Sequence, residues 1–206
     1  MNIDFKRYNM NIGVLLFTDF ETLDVFGPVE VFGVLKNQYQ IFFYSEFGGI
    51  VKNAHGVAIE SLPLSNIIGG TDIFLIPGGY GTRKEVDNHK LIDSIKKISE
   101  VSKYVLTICT GSALLAKTGL IDNKNATSNK RSFDWVKSQG QNVHWIKKAR
   151  WVVDGKFYTS SGVSAGIDMA LGFLKDIHGQ DFAKNVAFQI EYTWQEDKNF
   201  DNFSEQ

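Results

Sequence analysis

Four short apolar runs, separated by stretches with helical spacing, constrain the fold of this chain more than any other feature. They are Asn11 to Phe17 (NIGVLLF), Gln40 to Ser45 (QIFFYS), Asp72 to Pro77 (DIFLIP) and Tyr104 to Ile108. Each is too short to cross a membrane, and their β-branched and aromatic residues mark strands buried on both faces. Between them, Leu23 to Lys36 carries Val29, Phe32 and Leu35 on one helical face, with Pro28 near its start. Asn88 to Val101 places Leu91, Ile92, Ile95 and Ile98 at the same spacing. Gly48 to Leu62 reads as an antiparallel hairpin, and Val143 to Tyr158 as two strands turning at Asp154-Gly155. Two helices, near Ala165 to Ile177 and Gln180 to Thr193, close the chain. Alternating strands and helices predict an α/β fold with an open, mostly parallel central sheet and helices on both faces. In such sheets ligands bind beyond the carboxyl ends of the strands. Three loops fall there: after Phe17, after Pro77 and at Cys109.

With 206 residues the chain has the length of one domain, and its net charge of -1 suggests no nucleic-acid surface. A single cysteine excludes an internal disulfide framework and fits a reducing cytoplasm. The four histidines are scattered without paired ligand spacing, so no metal site is expected. There is no apolar run of membrane-span length and no signal-peptide core. Met10 offers a second start, so residues 1–9 read as an extension outside a domain of residues 10–194. The polar segment from Gln195 reads as a tail that frays.

Cys109 sits where the strand Tyr104 to Ile108 gives way to a helix opening at Ser112. A lone cysteine is often only a small buried hydrophobe. A thiol at a helix N-terminus, however, meets unpaired N–H groups and the positive dipole end, which favour the nucleophilic thiolate. The same turn offers the Thr110 hydroxyl and the amides of Thr110 and Gly111. Pro77-Gly78-Gly79 lets backbone approach a ligand closely, with N–H groups for a developing anion. The first loop holds the acids Asp19, Glu21 and Asp24. Asp24 is either a helix N-cap or, if aimed at Cys109, a proton donor whose pKa burial would raise.

Taken in order, Leu23-Asp24-Val-Phe-Gly27-Pro28, Ile76-Pro77-Gly78-Gly79-Tyr80-Gly81, Ile108-Cys109-Thr110-Gly111-Ser112 and Thr159-Ser-Ser-Gly162-Val-Ser-Ala165-Gly166-Ile167-Asp168 resemble the ThiJ/PfpI superfamily. The resemblance runs from Met10 to Tyr192 and is nearest to the isocyanide hydratase branch, which is itself similar to the sensor domains of AraC-type regulators. It implies a flavodoxin-like three-layer sandwich, a homodimer, a small-molecule substrate and no cofactor. It also implies a nucleophilic Cys109 on a strained turn, with Asp24 as the acid that faces it and Thr110 as the residue after the nucleophile. Gly78, Gly79, Gly111 and Gly162 would border the substrate, while Asp168 reads as structural.

Three departures narrow the chemistry. The protease and deglycase-like branch has His directly after the cysteine, where this chain has Thr110. Glutamine amidotransferases need a distant His-Glu pair, and none is evident. Many relatives have His after the Ala-Thr-Thr strand; here Ala126-Thr127-Ser128 leads to Asn129. Without an imidazole base, acyl transfer is disfavoured. The expectation is a cofactor-independent, cysteine-dependent hydratase or hydrolase, isocyanide hydratase-like. The alternatives are a redox or electrophile-responsive protein without turnover and a ligand-binding domain related to AraC-type sensors.

Overall fold

The computed structural model describes residues 10–67 and 69–205; the expected extension at 1–9 lies outside them. In chain order the elements are β1 (Met10–Leu15), α1 (Thr22–Gly33), β2 (Tyr39–Ser45), β3 (Gly49–Lys52), β4 (Ala58–Pro63), β5 (Ile73–Ile76), α2 (Thr82–Glu85), α3 (His89–Val101) and β6 (Tyr104–Thr107). They continue with α4 (Gly111–Lys117), β7 (Asn125–Ala126), α5 (Phe133–Gln139), β8 (His144–Trp145), β9 (Trp151–Asp154), β10 (Phe157–Ser160), α6 (Ala165–His178) and α7 (Gln180–Gln189).

Eight strands form one sheet in the order β3-β4-β2-β1-β5-β6-β10-β9. From β4 to β10 the pairs are parallel; β3 and β9 are antiparallel edges. Helices α1, α6 and α7 pack together, and α4 packs with α2, α3 and α5, which completes a three-layer α/β sandwich. The central strands are buried on both sides: Val14, Leu15, Ile73, Phe74, Leu75, Ile76, Val105 and Leu106 are all fully buried. This explains their continuous apolar sequence. The four apolar positions of α3 face the core, and Asn88 caps that helix by accepting the Leu91 N–H at 3.2 Å.

The chain runs from β1 outward to β2, then returns to place β5 on the other side of β1. This reversal is the topological switch point, where the loops leaving β1 and β5 splay apart and open a crevice. They are tied where they leave the sheet: Phe20 and Gly79 form an antiparallel bridge, and the Glu21 N–H donates to the Gly78 carbonyl at 2.9 Å.

Two expectations change. The helix α5 and the small parallel sheet of β7 and β8 were not foreseen, and the first strand of the Val143 to Tyr158 pair is broken into β8 and β9. The tail does not fray. The Lys198 carbonyl accepts the Arg150 N–H at 2.8 Å, the Asp201 N–H donates to the Lys148 carbonyl at 2.8 Å, and Asp201 is fully buried. Arg150 joins tail to body: its Nη2 lies 2.7 Å from the buried Asp168 carboxylate and its Nη1 3.6 Å from Asp201. Polar composition suggested solvation, but a fixed guanidinium between two carboxylates outweighs it.

Arg150→Met removes the cation from two fully buried acids and leaves them uncompensated. We expect a loss of about 3–5 kcal/mol in urea unfolding, whereas Lys184→Met, at an exposed pair, should cost under about 1 kcal/mol.

Candidate active site

The strand β6 ends at Thr107, and the chain must turn sharply to start α4 against it. Cys109 takes the strain, with a left-handed φ of 55°. That conformation costs an L-residue about 1–2 kcal/mol and persists only when its surroundings impose it. Here they do. The Cys109 N–H donates to the Ser161 carbonyl at 3.1 Å, and its own carbonyl accepts the hydroxyls of Ser112 at 3.0 Å and Ser128 at 2.8 Å. A further left-handed residue borders the site, the β-branched Val163 (φ 51°), and Asp19 in the first loop has φ 60°. Cys109 is only 6% exposed and lines a cavity of about 340 Å3 together with Glu21, Tyr80, Thr110, Asn129, Arg131 and Val163.

Asp24 is not a cap. Glu21 caps α1 by accepting the Thr22 N–H at 3.1 Å, and Asp24 lies in the first turn, fully buried. Its Oδ2 accepts the Gly78 N–H at 2.9 Å, while Oδ1 is buried without a hydrogen-bond partner among the described residues. A buried carboxylate oxygen left unpaired is costly, whereas a proton there removes the cost.

Of the four glycines expected to border the substrate, Gly79 lines the Cys109 cavity and Gly162 the neighbouring chamber, while Gly78 and Gly111 line neither. The amides of Gly78 and Gly79 are not open to a ligand: one holds Asp24, and the other donates to Thr110 Oγ1 at 3.0 Å. A Cβ on Gly78 would lie 2.5 Å from the Thr110 nitrogen and 2.9 Å from Asp24 Oδ2, so glycine lets all three crowd together. Gly111 is likewise used internally, its N–H donating to the Ile108 carbonyl at 2.9 Å while its Cα abuts the Ile76 and Pro77 carbonyls. The Thr110 hydroxyl in turn donates to the Gly79 carbonyl at 3.2 Å, which locks the two loops together. Gly162 makes room for the Asn129 side chain, which a Cβ there would strike.

Asn129 and Val163 received no role from the sequence. The Asn129 Oδ1 accepts the Ser132 N–H at 3.0 Å, so its amide nitrogen is free to face the sulfur. The N–H groups of Thr110 and Val163 and the Asn129 side chain all favour the thiolate. Asn129 could have been suspected from its place two residues after Thr127, where the resemblance led to an expectation of His. Val163 gave no signal, because a β-branched residue with positive φ contradicts its own propensity.

Burial pushes the Cys109 thiol well up, the Asp24 charge adds to this, and those three donors pull it back. The expectation that a helix end would depress the thiol therefore gives way: desolvation outweighs it. Burial also raises Asp24 well above the carboxylate range; the Gly78 N–H opposes this, and the charge of Glu21 adds to it. Both groups resist ionisation and each opposes the other's charge, so they titrate as a coupled pair, Asp24 shifted above the carboxylate range and Cys109 above the ordinary thiol. The donors aimed at sulfur oppose the rise in the thiol without reversing it.

A buried thiol on a strained strand-to-helix turn, beside a buried acid at a switch point, has the form of the nucleophile-elbow turn of α/β proteins. The DJ-1/PfpI family pattern matches residues 10–176, and the chain belongs to that family. It is 29% identical over 183 residues to the isonitrile hydratase of Pseudomonas putida, covering 89% of this chain and 78% of that protein. It is 25% identical over 180 residues to the transcriptional regulator CdhR of Pseudomonas aeruginosa, spanning 85% of this chain but only 53% of the regulator. The crystal structure of a ThiJ/PfpI family protein from Pseudomonas syringae superposes with a TM-score of 0.83 at 24% identity, over 93% of this chain and 80% of that one.

A carboxyl whose folded pKa is raised adds stability below the unfolded value of about 3.9 and loses it as pH rises toward the folded pKa. Asp24→Asn keeps the Gly78 bond and cannot ionise. Its urea midpoint should exceed that of the wild type at pH 8, and the gap should close toward pH 4. A variant less stable at pH 8 would contradict the raised pKa.

Proposed function

We propose that the chain is a cofactor-independent hydratase in which Cys109 is the nucleophile, Asp24 the proton carrier and Thr110 a positioning residue, and that its substrates are isocyanides. The observation that carries this reading is a buried acid beside a buried thiol, with no histidine among the described residues lining the cavity. Acyl transfer needs a base and a leaving-group acid, whereas hydration of an isocyanide expels no amine. The likeness to isonitrile hydratase supports the same choice.

The thiolate forms a C–S bond to the terminal carbon of R–NC, and that carbon takes the Asp24 proton, giving a thioimidate. Water adds to the C=N carbon, its proton passing through Asp24 to nitrogen. The tetrahedral adduct then collapses: its hydroxyl proton returns to Asp24, the C–S bond breaks, and R–NH–CHO departs. One water is consumed, and both side chains regain their starting states.

The likeness to CdhR favours a second reading, a ligand-sensing domain without turnover. We further propose a homodimer acting on small molecules in the cytoplasm. Among the described residues no helix is long and apolar enough to cross a membrane, and no cluster of three His, Cys, Asp or Glu residues could hold a metal ion.

Loss of an aryl isocyanide, followed by absorbance, tests the proposal. The wild type should turn over, Cys109→Ser should not, and Asp24→Asn should be slower by at least about a hundredfold, the scale of general acid–base catalysis. Absence of turnover by the wild type would promote the sensing reading. Sedimentation should show twice the 23.2 kDa monomer mass, and a monomer alone would reject the dimer.

A further inference from the structure

Beside the Cys109 cavity lies a larger chamber of about 680 Å3, and Arg83, Asn129, Arg131, Ser132 and Val163 line both. Asn129 and Val163, the residues that face the sulfur, stand at the boundary. A substrate reacting at Cys109 would have this chamber beside its non-reacting end, and the volume suits a ring-bearing molecule.

The lining is unusual for a protein of net charge -1. Four cations, Arg83, Lys130, Arg131 and Lys147, face a single acid, Asp134. None of the four makes an ion pair among the described residues. Arg83 is held in place, its guanidinium 3.3 Å from the Trp135 ring centre and its Nη2 donating to Ser132 Oγ at 3.0 Å. Lys130 is fixed by donating to the Ala149 carbonyl at 2.7 Å and Thr127 Oγ1 at 2.9 Å. Burial lowers Lys130 to about 8, an effect that Asp201 opposes and the nearby charges of Arg150 and Lys147 reinforce. Like charges outnumbering their counter-charges are unfavourable unless a ligand supplies the opposite sign.

The walls are apolar and aromatic. Phe133 comes from the start of α5, and Phe203 comes from the tail. Asp201 sets Phe203 in place by accepting its N–H at 2.9 Å, and Asp201 is itself held by Arg150. The docked tail is thus one side of the chamber.

We propose that this chamber binds the non-reacting end of the substrate, and that this end is a flat apolar group carrying an anion such as a carboxylate. The inference rests on Cys109 as the reactive centre and adds the substrate class. Arg131 and Lys147 supply the field at the mouth, and Phe203 supplies contact area.

Calorimetry with two isosteric product analogues tests it: 4-formamidobenzoate and the neutral 4-formamidobenzamide. The full chain should bind the benzoate at least about tenfold tighter at low salt, and the gap should shrink as salt screens it. The double variant Arg131→Gln/Lys147→Gln, both at exposed positions, should weaken the benzoate alone. Phe203→Ala should weaken both analogues. Equal affinities, no binding of either, or a gap that survives the double variant would overturn the proposal. Because binding is read without turnover, an anion preference in a protein that hydrates no isocyanide would sink the hydratase reading and leave the subsite standing.

Discussion

The full burial of the Asp24 carboxyl is the constraint on which the site depends. It forces three loops to converge: Gly78 must donate to Oδ2, Cys109 must lie close by, and Thr110 must lace the Gly79 loop to the Cys109 turn. None of these contacts survives a side chain at Gly78, since its Cβ would occupy their shared space. Burying an acid this way lowers stability at neutral pH, and the strained φ at Cys109 and Val163 adds to that cost. A site that gives up stability to hold a proton in place is the usual mark of function over structure.

The large sheet supplies what the site gives up. Its central strands are apolar on both faces, and the switch point between β1 and β5 sets the loops apart without help from the site residues. The Arg150 link between Asp168 and Asp201 extends this scaffold to the tail. The same tail then reaches the chamber beside Cys109, so one buried guanidinium couples the C-terminal segment to that chamber.

Much of this was legible in the residues. The central strands and α3 could be read because burial on both faces, or on one helical stripe, writes its period into the sequence. Cys109 and Asp24 were legible as a pair because each stands at the end of such an element. What the glycines do was not legible: Gly78, Gly79 and Gly111 could be seen to permit close approach, but not what approaches. Their amides serve Asp24, Thr110 and Ile108, contacts set by folding together loops distant in sequence. The direction of the thiol pKa was misjudged for the same reason. A helix N-terminus is a local feature, whereas desolvation is set by the whole fold. The docked tail escaped notice because Asp201 is one acid among many until Arg150 is placed beside it.

The central claim is that the buried Asp24 carboxyl beside Cys109 keeps its proton at neutral pH. Carbon-13 NMR of protein labelled at aspartate side chains, with the Asp24 signal assigned by its loss in Asp24→Asn, reads this directly. The account predicts a neutral Asp24 carboxyl at pH 7 in the wild type. It should remain raised in Cys109→Ala, because burial is the largest cause of the shift. An Asp24 signal that titrates near pH 4 in the wild type, as an exposed aspartate does, would contradict the account.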